Sequence, residues 1–276
     1  MSPMSPMPAF GLVVVGDEIL SGRRADKHLA AVIERLNARG LSLSWAEYVG
    51  DHRPRLTAVL ERAFAGGDIV FSCGGIGATP DDHTRQCAAA ALGVPLELHP
   101  EAKRLILERM QDVAREQGQP YEPDRADNVH RLNMGVFPQG ASIIPNPYNK
   151  IPGFSVGDVH FVPGFPVMAH PMIEGLLDGR YAPLHGSGAL TELSLLVFGA
   201  MEAGLTPLME RIEAMHPGIR VFSLPSVDHP VHGRHIELGV KGRGDAVTAA
   251  YAALRDGVIQ SGALIGTEMV RQAGAT

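Results

Sequence analysis

The stretch Gly74-Gly75-Ile76-Gly77-Ala78-Thr79-Pro80-Asp81-Asp82 constrains this chain more than any other. It follows the apolar run Asp68 to Cys73 and precedes the Ala-rich segment His83 to Leu92. That order predicts a buried strand, a tight glycine turn and a helix. Three glycines in four positions let the backbone come close to a ligand, since no Cβ stands in the way. The first N–H groups of the following helix have no intrahelical partners, so the loop is a candidate anion cradle. Asp82 is a candidate cap for that helix, and the bland alternative is a glycine turn with a capping aspartate.

The flanking pattern gives the fold class. Phe10 to Val15 is a first buried strand, followed by the turn Gly16-Asp17-Glu18-Ile19-Leu20-Ser21-Gly22. A helix is predicted over Asp26 to Gly40, from the spacing of Leu29, Val32, Ile33 and Leu36. A second strand runs from Leu41 to Val49, and a helix from Pro54 to about Ala65. Another helix spans about Pro100 to Gln117, and Asp124 to Met134 reads as a short one. Pro145 to Phe154 reads as a loop, Val159 to Val162 as a strand, and the segment to Leu177 as an amphipathic helix. Alternating strands and helices predict an α/β fold of three α/β/α layers around a mainly parallel sheet. Such sheets bind ligands beyond the carboxyl ends of their strands. Three loops fall there, Gly16 to Gly22, Gly50 to His52 and Gly74 to Asp82, and each carries acidic residues.

Beyond Asp178 the pattern changes. Asp178 to Ser187 reads as a linker. The remainder predicts a small α+β domain in the order β-α-β-β-α. The expected domains are 1–178 for ligand binding and 189–260 for the small unit, with 261–276 as a loose tail.

Composition sets the class of partner. A net charge of −6 in 276 residues argues against a general nucleic-acid binder, which needs a basic face. Cys73 and Cys87 match no metal or disulfide spacing. Met1 to Pro8 lacks the basic region and apolar core of a signal peptide, and no segment has the length of a membrane span. The expectation is a cytoplasmic protein with a small-molecule ligand, no nucleic-acid or membrane partner, and a homo-oligomeric state, dimer or trimer. His229, His232 and His235 beside Asp228 form a further candidate metal cluster, and Gly239-Val240-Lys241-Gly242 is similar to the glycine loop of an RNA-binding KH module.

Several of these motifs together resemble a known family. Gly74-Gly75-Ile76-Gly77 with Thr79 and Asp82, and the first loop Gly16 to Gly22, are similar to the molybdopterin-binding domain of molybdenum cofactor biosynthesis proteins. The run Asp81-Asp82-His83-Thr84 resembles two branches most, the N-terminal region of competence/damage-inducible CinA proteins and the companion domain of FAD synthases. Asn146, Pro152-Gly153-Phe154 and Pro163-Gly164-Phe165-Pro166 continue the resemblance in order, and the small second domain resembles the one that follows in the CinA branch. The resemblance implies binding of molybdopterin or an adenine nucleotide. It implies catalytic or metal-linked roles for Asp51 and Asp82, with Asp17 completing a candidate divalent-metal set. Ligand contacts are expected at Gly16, Asp17, Ser21, Gly22, Gly74, Gly75, Gly77, Thr79, Asn146, Lys150, Gly153 and Gly164, with Lys150 meeting a phosphate. The CinA branch also implies metal-dependent cleavage of a nucleotide diphosphate such as ADP-ribose. Two positions depart from that branch: Asn149-Lys150-Ile151 replaces Gly-Thr-Ala, and Val167-Met168 replaces Ser-Glu.

Overall fold

The computed structural model describes residues 8–186 and 190–272. The N-terminal residues 1–7, residues 187–189 where the expected linker ends, and the end of the expected tail (273–276) lie outside them. The chain divides into two compact units, Met1–Leu36 with Ser42–Pro183, and Asn37–Leu41 with Leu184–Thr276.

The first unit begins with β1 (Phe10–Val15), the four-residue helix α1 (Asp17–Leu20), α2 (Leu29–Asn37), β2 (Leu43–Val49), α3 (Arg53–Gly66) and β3 (Ile69–Cys73). It continues through α4 (Thr84–Leu92), β4 (Leu96–Leu98), α5 (Pro100–Glu116), α6 (Ala126–Arg131) and β5 (Val136–Pro138). It closes with β6 (Ser142–Ile144), β7 (Gly153–Val156), β8 (Val159–Val162) and α7 (Pro166–Asp178). The main sheet has the order β2-β1-β3-β8-β7-β6. Strands β2, β1, β3 and β8 run parallel, and only the β7 pairings are antiparallel. This is the expected mainly parallel α/β sheet.

Burial explains the sequence pattern. Every residue of β1, β3 and β8 is buried, because both faces of a central parallel strand are covered. That is why these strands read as largely apolar runs, with Ser72 and His160 as polar exceptions. Strand β2 lies at the edge and alternates instead. Its Trp45 ring lies where a Cβ on Gly11 would be, and its Nε1 donates to Asp68 at 2.8 Å. Further along the sheet, Phe137, Phe154 and Phe161 stack with centroids 4.7 and 4.4 Å apart. The expected loop over Pro145 to Phe154 therefore ends early, with Gly153 and Phe154 already in β7.

The second unit contains β9 (Thr191–Phe198), α8 (Glu202–Met215), β10 (Arg220–His229), β11 (Gly233–Gly242), α9 (Ala246–Gln260) and β12 (Leu264–Gln272). Its antiparallel sheet has the order β10-β11-β9-β12. The expected loose tail is corrected here, since most of it is β12, paired along β9. A register shift between Ile265 and Glu268 interrupts the period-two alternation that would have shown the strand. The KH-like tetrapeptide is also corrected: Gly239 to Lys241 are paired on both sides and Gly242 to β9, all within β11, and they form no loop between helices. Helices α8 and α9 bury Leu205, Leu208, Ile212, Val247, Leu254 and Val258 against this sheet.

Limited proteolysis is expected to nick first between Pro183 and Leu190, where one unit ends and the next begins. Sequencing the fragment ends checks this, and a first cut inside β1 to β3 would overturn the boundary.

Candidate active-site crevice

The loops after β1, β2 and β3 meet at the carboxyl ends of their strands, as the topology requires. The first two are clamped to each other. Asp17 N–H donates to Asp51 Oδ2 at 3.0 Å, and Asp51 N–H donates to Asp17 Oδ1 at 3.2 Å. The third loop begins on a left-handed glycine pair, Gly74 at φ 111° and Gly75 at φ 67°. A Cβ on Gly74 would stand 2.4 Å from the carbonyl oxygen of Val15, and one on Gly75 2.1 Å from Thr84 Oγ1. Only glycine permits this close passage over the end of β1. Gly74 N–H bonds to Val162 O at 3.0 Å, while Thr84 donates from Oγ1 to Gly74 O and from its N–H to Gly75 O. The loop is thus pinned at its base to β8 and to the first residue of α4. Within the described residues, no hydrogen bond engages the N–H groups of Ile76, Gly77 and Ala78.

Ile76, Gly77 and Ala78 line a cavity of about 410 Å³ whose wall also includes Glu18, Arg24, Asp51, Asp81, Asp82 and Phe165. Opposite the glycine loop stand Asn146, Asn149, Gly164 and Met168. Asn146 is buried and ties its own loop together: its Nδ2 donates to Asn149 Oδ1 and Ile151 O, and its Oδ1 accepts from Tyr148 N–H. The Asn149 amide donates to Met168 Sδ at 3.3 Å. The carboxylate expected of the CinA branch is thus replaced by a thioether inside the wall. Behind Gly164, His28 holds the Gly164 carbonyl at 3.1 Å.

The electrostatics are uneven. Burial raises the Asp51 carboxyl above its usual range, and the charges of Asp17, Glu18 and Asp81 push the same way against the opposing Asp17 hydrogen bond. Arg24 lies 3.8 Å from Glu18 and 5.8 Å from the ring centroid of Phe165, a residue 55% exposed.

Of the expected contact residues, Gly16, Gly74, Gly75, Gly77, Thr79, Asn146 and Gly164 line the cavity together with Asp51 and Asp82. Five do not. Asp17 lies behind Asp51, its Oδ1 turned onto the Asp51 N–H. Ser21 and Gly22 are exposed beyond α1. Gly153 is buried in β7, where a Cβ would stand 2.3 Å from Phe161 O, so its role is packing. Lys150 takes φ 65° and pairs with Asp112 at 2.6 Å, so its charge is already matched away from the wall. Asp82 is also corrected as a helix cap. The position before α4 is His83, without a side-chain cap, and Asp82 Oδ2 accepts instead from Thr79 N–H at 2.9 Å and Thr79 Oγ1 at 2.5 Å.

The set Asp17, Asp51 and Asp82 does not fit a cation site. Among the described residues no group of three His, Cys, Asp or Glu side chains is arranged to hold a metal. The same holds for His229, His232 and His235, although their ring centroids lie 4.9 to 5.8 Å apart. His229 Nδ1 is occupied by the N–H groups of Val231 and His232. Arg24 and Phe165 went unread as site residues. The only available signal was that Phe165 sits inside Pro163-Gly164-Phe165-Pro166, while Arg24 lies in a featureless Arg-Arg pair.

A family model described as "Probable molybdopterin binding domain" matches residues 11–182. The chain belongs to this family. The match spans the crevice and all of the main sheet but Phe10. A protein from Pyrobaculum calidifontis is 30% identical over 90% of this chain and 94% of its own length. A CinA-like protein from an Anaeromyxobacter species is 32% identical over 76% of this chain. The chain spans about half the length of that relative, 50%. A solved structure of CinA from Thermoplasma acidophilum superposes with a TM-score of 0.52 at 26% identity, over 63% of this chain and 98% of that one. No helix among the described residues is long and apolar enough to cross a membrane.

Proposed function

We propose that this molybdopterin-binding-family chain holds molybdopterin, or an adenine-containing nucleotide, in the crevice of its first unit. One observation carries the reading. Ile76, Gly77 and Ala78, whose N–H groups are unengaged among the described residues, wall the same cavity as the exposed Phe165. Both ligand classes combine a planar fused heterocycle with a phosphate. The N–H groups suit the phosphate, and the ring offers a stacking face. Arg24 supplies the nearby positive charge that offsets Glu18, Asp51 and Asp81.

The test is mass spectrometry of small molecules released from the purified protein, followed by calorimetric titration with that compound and with AMP and ADP. Phe165→Ala is expected to weaken binding about three- to tenfold through loss of the stacked ring. Release of neither a pterin nor a nucleotide, with no heat on titration, would overturn the reading.

A second reading is hydrolysis of a nucleotide diphosphate, favoured by the Asp51 carboxyl on the cavity wall, which burial raises above its usual range. Since the carboxylates do not fit a cation site, turnover of ADP-ribose is to be measured with and without added divalent metal. Asp82→Asn keeps an oxygen that can accept both Thr79 bonds, so its melting temperature is expected to stay near that of the parent. Loss of turnover with unchanged melting would place the Asp82 charge in the chemistry, and retained turnover would confine Asp82 to bracing the turn.

A further inference from the structure

The turn from Ala78 to Asp82 has a second side. Ala78, Thr79 and Asp82 also wall a separate cavity of about 520 Å³, whose other residues include Arg53, His83, Arg85, Gln86 and His130. The key residue is Arg85, in the first turn of α4 and only 4% exposed. Its Nη1 donates to Asn133 O and its Nη2 to Gly77 O, the latter at 2.6 Å. Its Nε has no partner. Among the described residues no carboxylate lies within ion-pair distance of it, and Asp82 acts on its charge only from farther off. A guanidinium buried this deeply and bonded only to neutral carbonyls carries an uncompensated charge, which is costly unless an anion meets it.

The neighbouring groups have the matching chemistry. Arg53 Nη2 donates to His83 Nδ1 at 3.0 Å. An arginine cannot accept, so Nδ1 is the acceptor and the His83 proton lies on Nε2, a further donor. Gln86 has a buried Oε1 with no partner, and a half-turn of its amide puts the NH2 group in that place. The single carboxylate on the wall, Asp82, already accepts two bonds from Thr79 on one oxygen.

We propose that this cavity is an oxyanion site for a phosphate-class anion, separate from the crevice on the other face of the turn. Arg85 meets the anion from the buried end, and Arg53 and His130 meet it from the exposed rim. The proposal does not depend on what the first crevice holds, and its test reads different side chains.

The test is calorimetric titration of the full chain with inorganic phosphate in a buffer free of other oxyanions. One phosphate per chain is expected to bind. Arg53→Gln and His130→Gln, both at the exposed rim, are each expected to weaken it roughly tenfold, the usual cost of a lost charged hydrogen bond. Arg85→Lys keeps a buried charge but removes the second hydrogen on each Nη, the donors left over after the bonds to Asn133 O and Gly77 O, and is expected to weaken binding as well. Arg24→Gln, whose side chain lines only the first crevice, is expected to leave the phosphate affinity unchanged. Absence of binding at millimolar phosphate would overturn the proposal. So would loss of binding in Arg24→Gln with retention in Arg53→Gln, which would place the anion in the first crevice.

Discussion

Replacing Gly74 with alanine or valine is expected to lower the stability of the first unit by about 2–6 kcal/mol. Two costs add. A side chain at φ 111° is strained by about 1–3 kcal/mol. The new Cβ would also meet the carbonyl oxygen of Val15 at 2.4 Å, and that oxygen belongs to the backbone of a buried strand. It cannot swing aside as a flexible side chain would, so the strand end or the loop must shift, at about another 1–3 kcal/mol. Against a typical total of about 5–15 kcal/mol this is a large loss. Alanine already carries the colliding atom, so most of the effect is expected in that variant, and ligand binding should be lost with it. The measurement is urea unfolding followed by fluorescence of Trp45, the chain's only tryptophan. A Gly74→Ala protein with an unchanged midpoint would show that the loop does not need its close passage over β1.

Acidification is expected to destabilise the same unit through His160. This residue on β8 is fully buried. Its Nδ1 shares a hydrogen bond with Ser155 Oγ at 2.7 Å and its Nε2 one with Tyr181 OH at 2.6 Å, while Tyr181 OH donates onward to Asp158. Burial, aided by the Arg180 charge, lowers its pKa from 6.5 to about 3. The sign follows from the imidazole being neutral in the folded chain. Above pH 6.5 both states hold it neutral and its contribution is fully present. As pH falls below 6.5 the unfolded chain gains a proton that the folded chain refuses until about pH 3. The loss is about 2 kcal/mol between pH 7 and 5, rising to about 4 kcal/mol near pH 3. His28 and His170 are lowered by burial as well and act in the same direction. In His160→Gln, which cannot titrate, the drop between pH 7 and 5 is expected to be about 2 kcal/mol smaller. Equal drops in both proteins would mean that His160 takes up its proton in the folded state.

The sequence made the central strands legible because burial on both faces leaves them largely apolar. Phe10 to Val15, Ile69 to Cys73 and Val159 to Val162 all stand out for that reason. The short strands β4 to β7 were harder, since three or four residues cannot establish a period, and Pro138 and Gly153 read as breakers. In the site, the residues legible in advance were those whose type is forced by backbone geometry, Gly74 and Gly75, or by loop bracing, Asn146 and Thr79. Arg24 and Phe165 were hidden because a long side chain reaches the crevice from wherever its stem permits. Asp82 shows the opposite limit. Its position after the glycines was right for a helix cap, but the turn closes on Thr79 one residue too early for the side chain to serve α4. Lys150 was read by charge alone, and nothing in the local sequence reveals Asp112, thirty-eight positions away.

The position of β12 in the second sheet has a consequence for synthesis. Strand β9 lies between β11 and β12, so one of its edges stays open until the final described residues have been made. A nascent chain that has emerged only as far as α9 presents β9 with Leu193, Leu195 and Val197 beside unpaired N–H and C=O groups. An apolar edge of that kind is a template for another copy. The last strand therefore acts as a closing seam, and a ribosome stalled before residue 264 would release a product prone to aggregate even though both helices of that unit are complete.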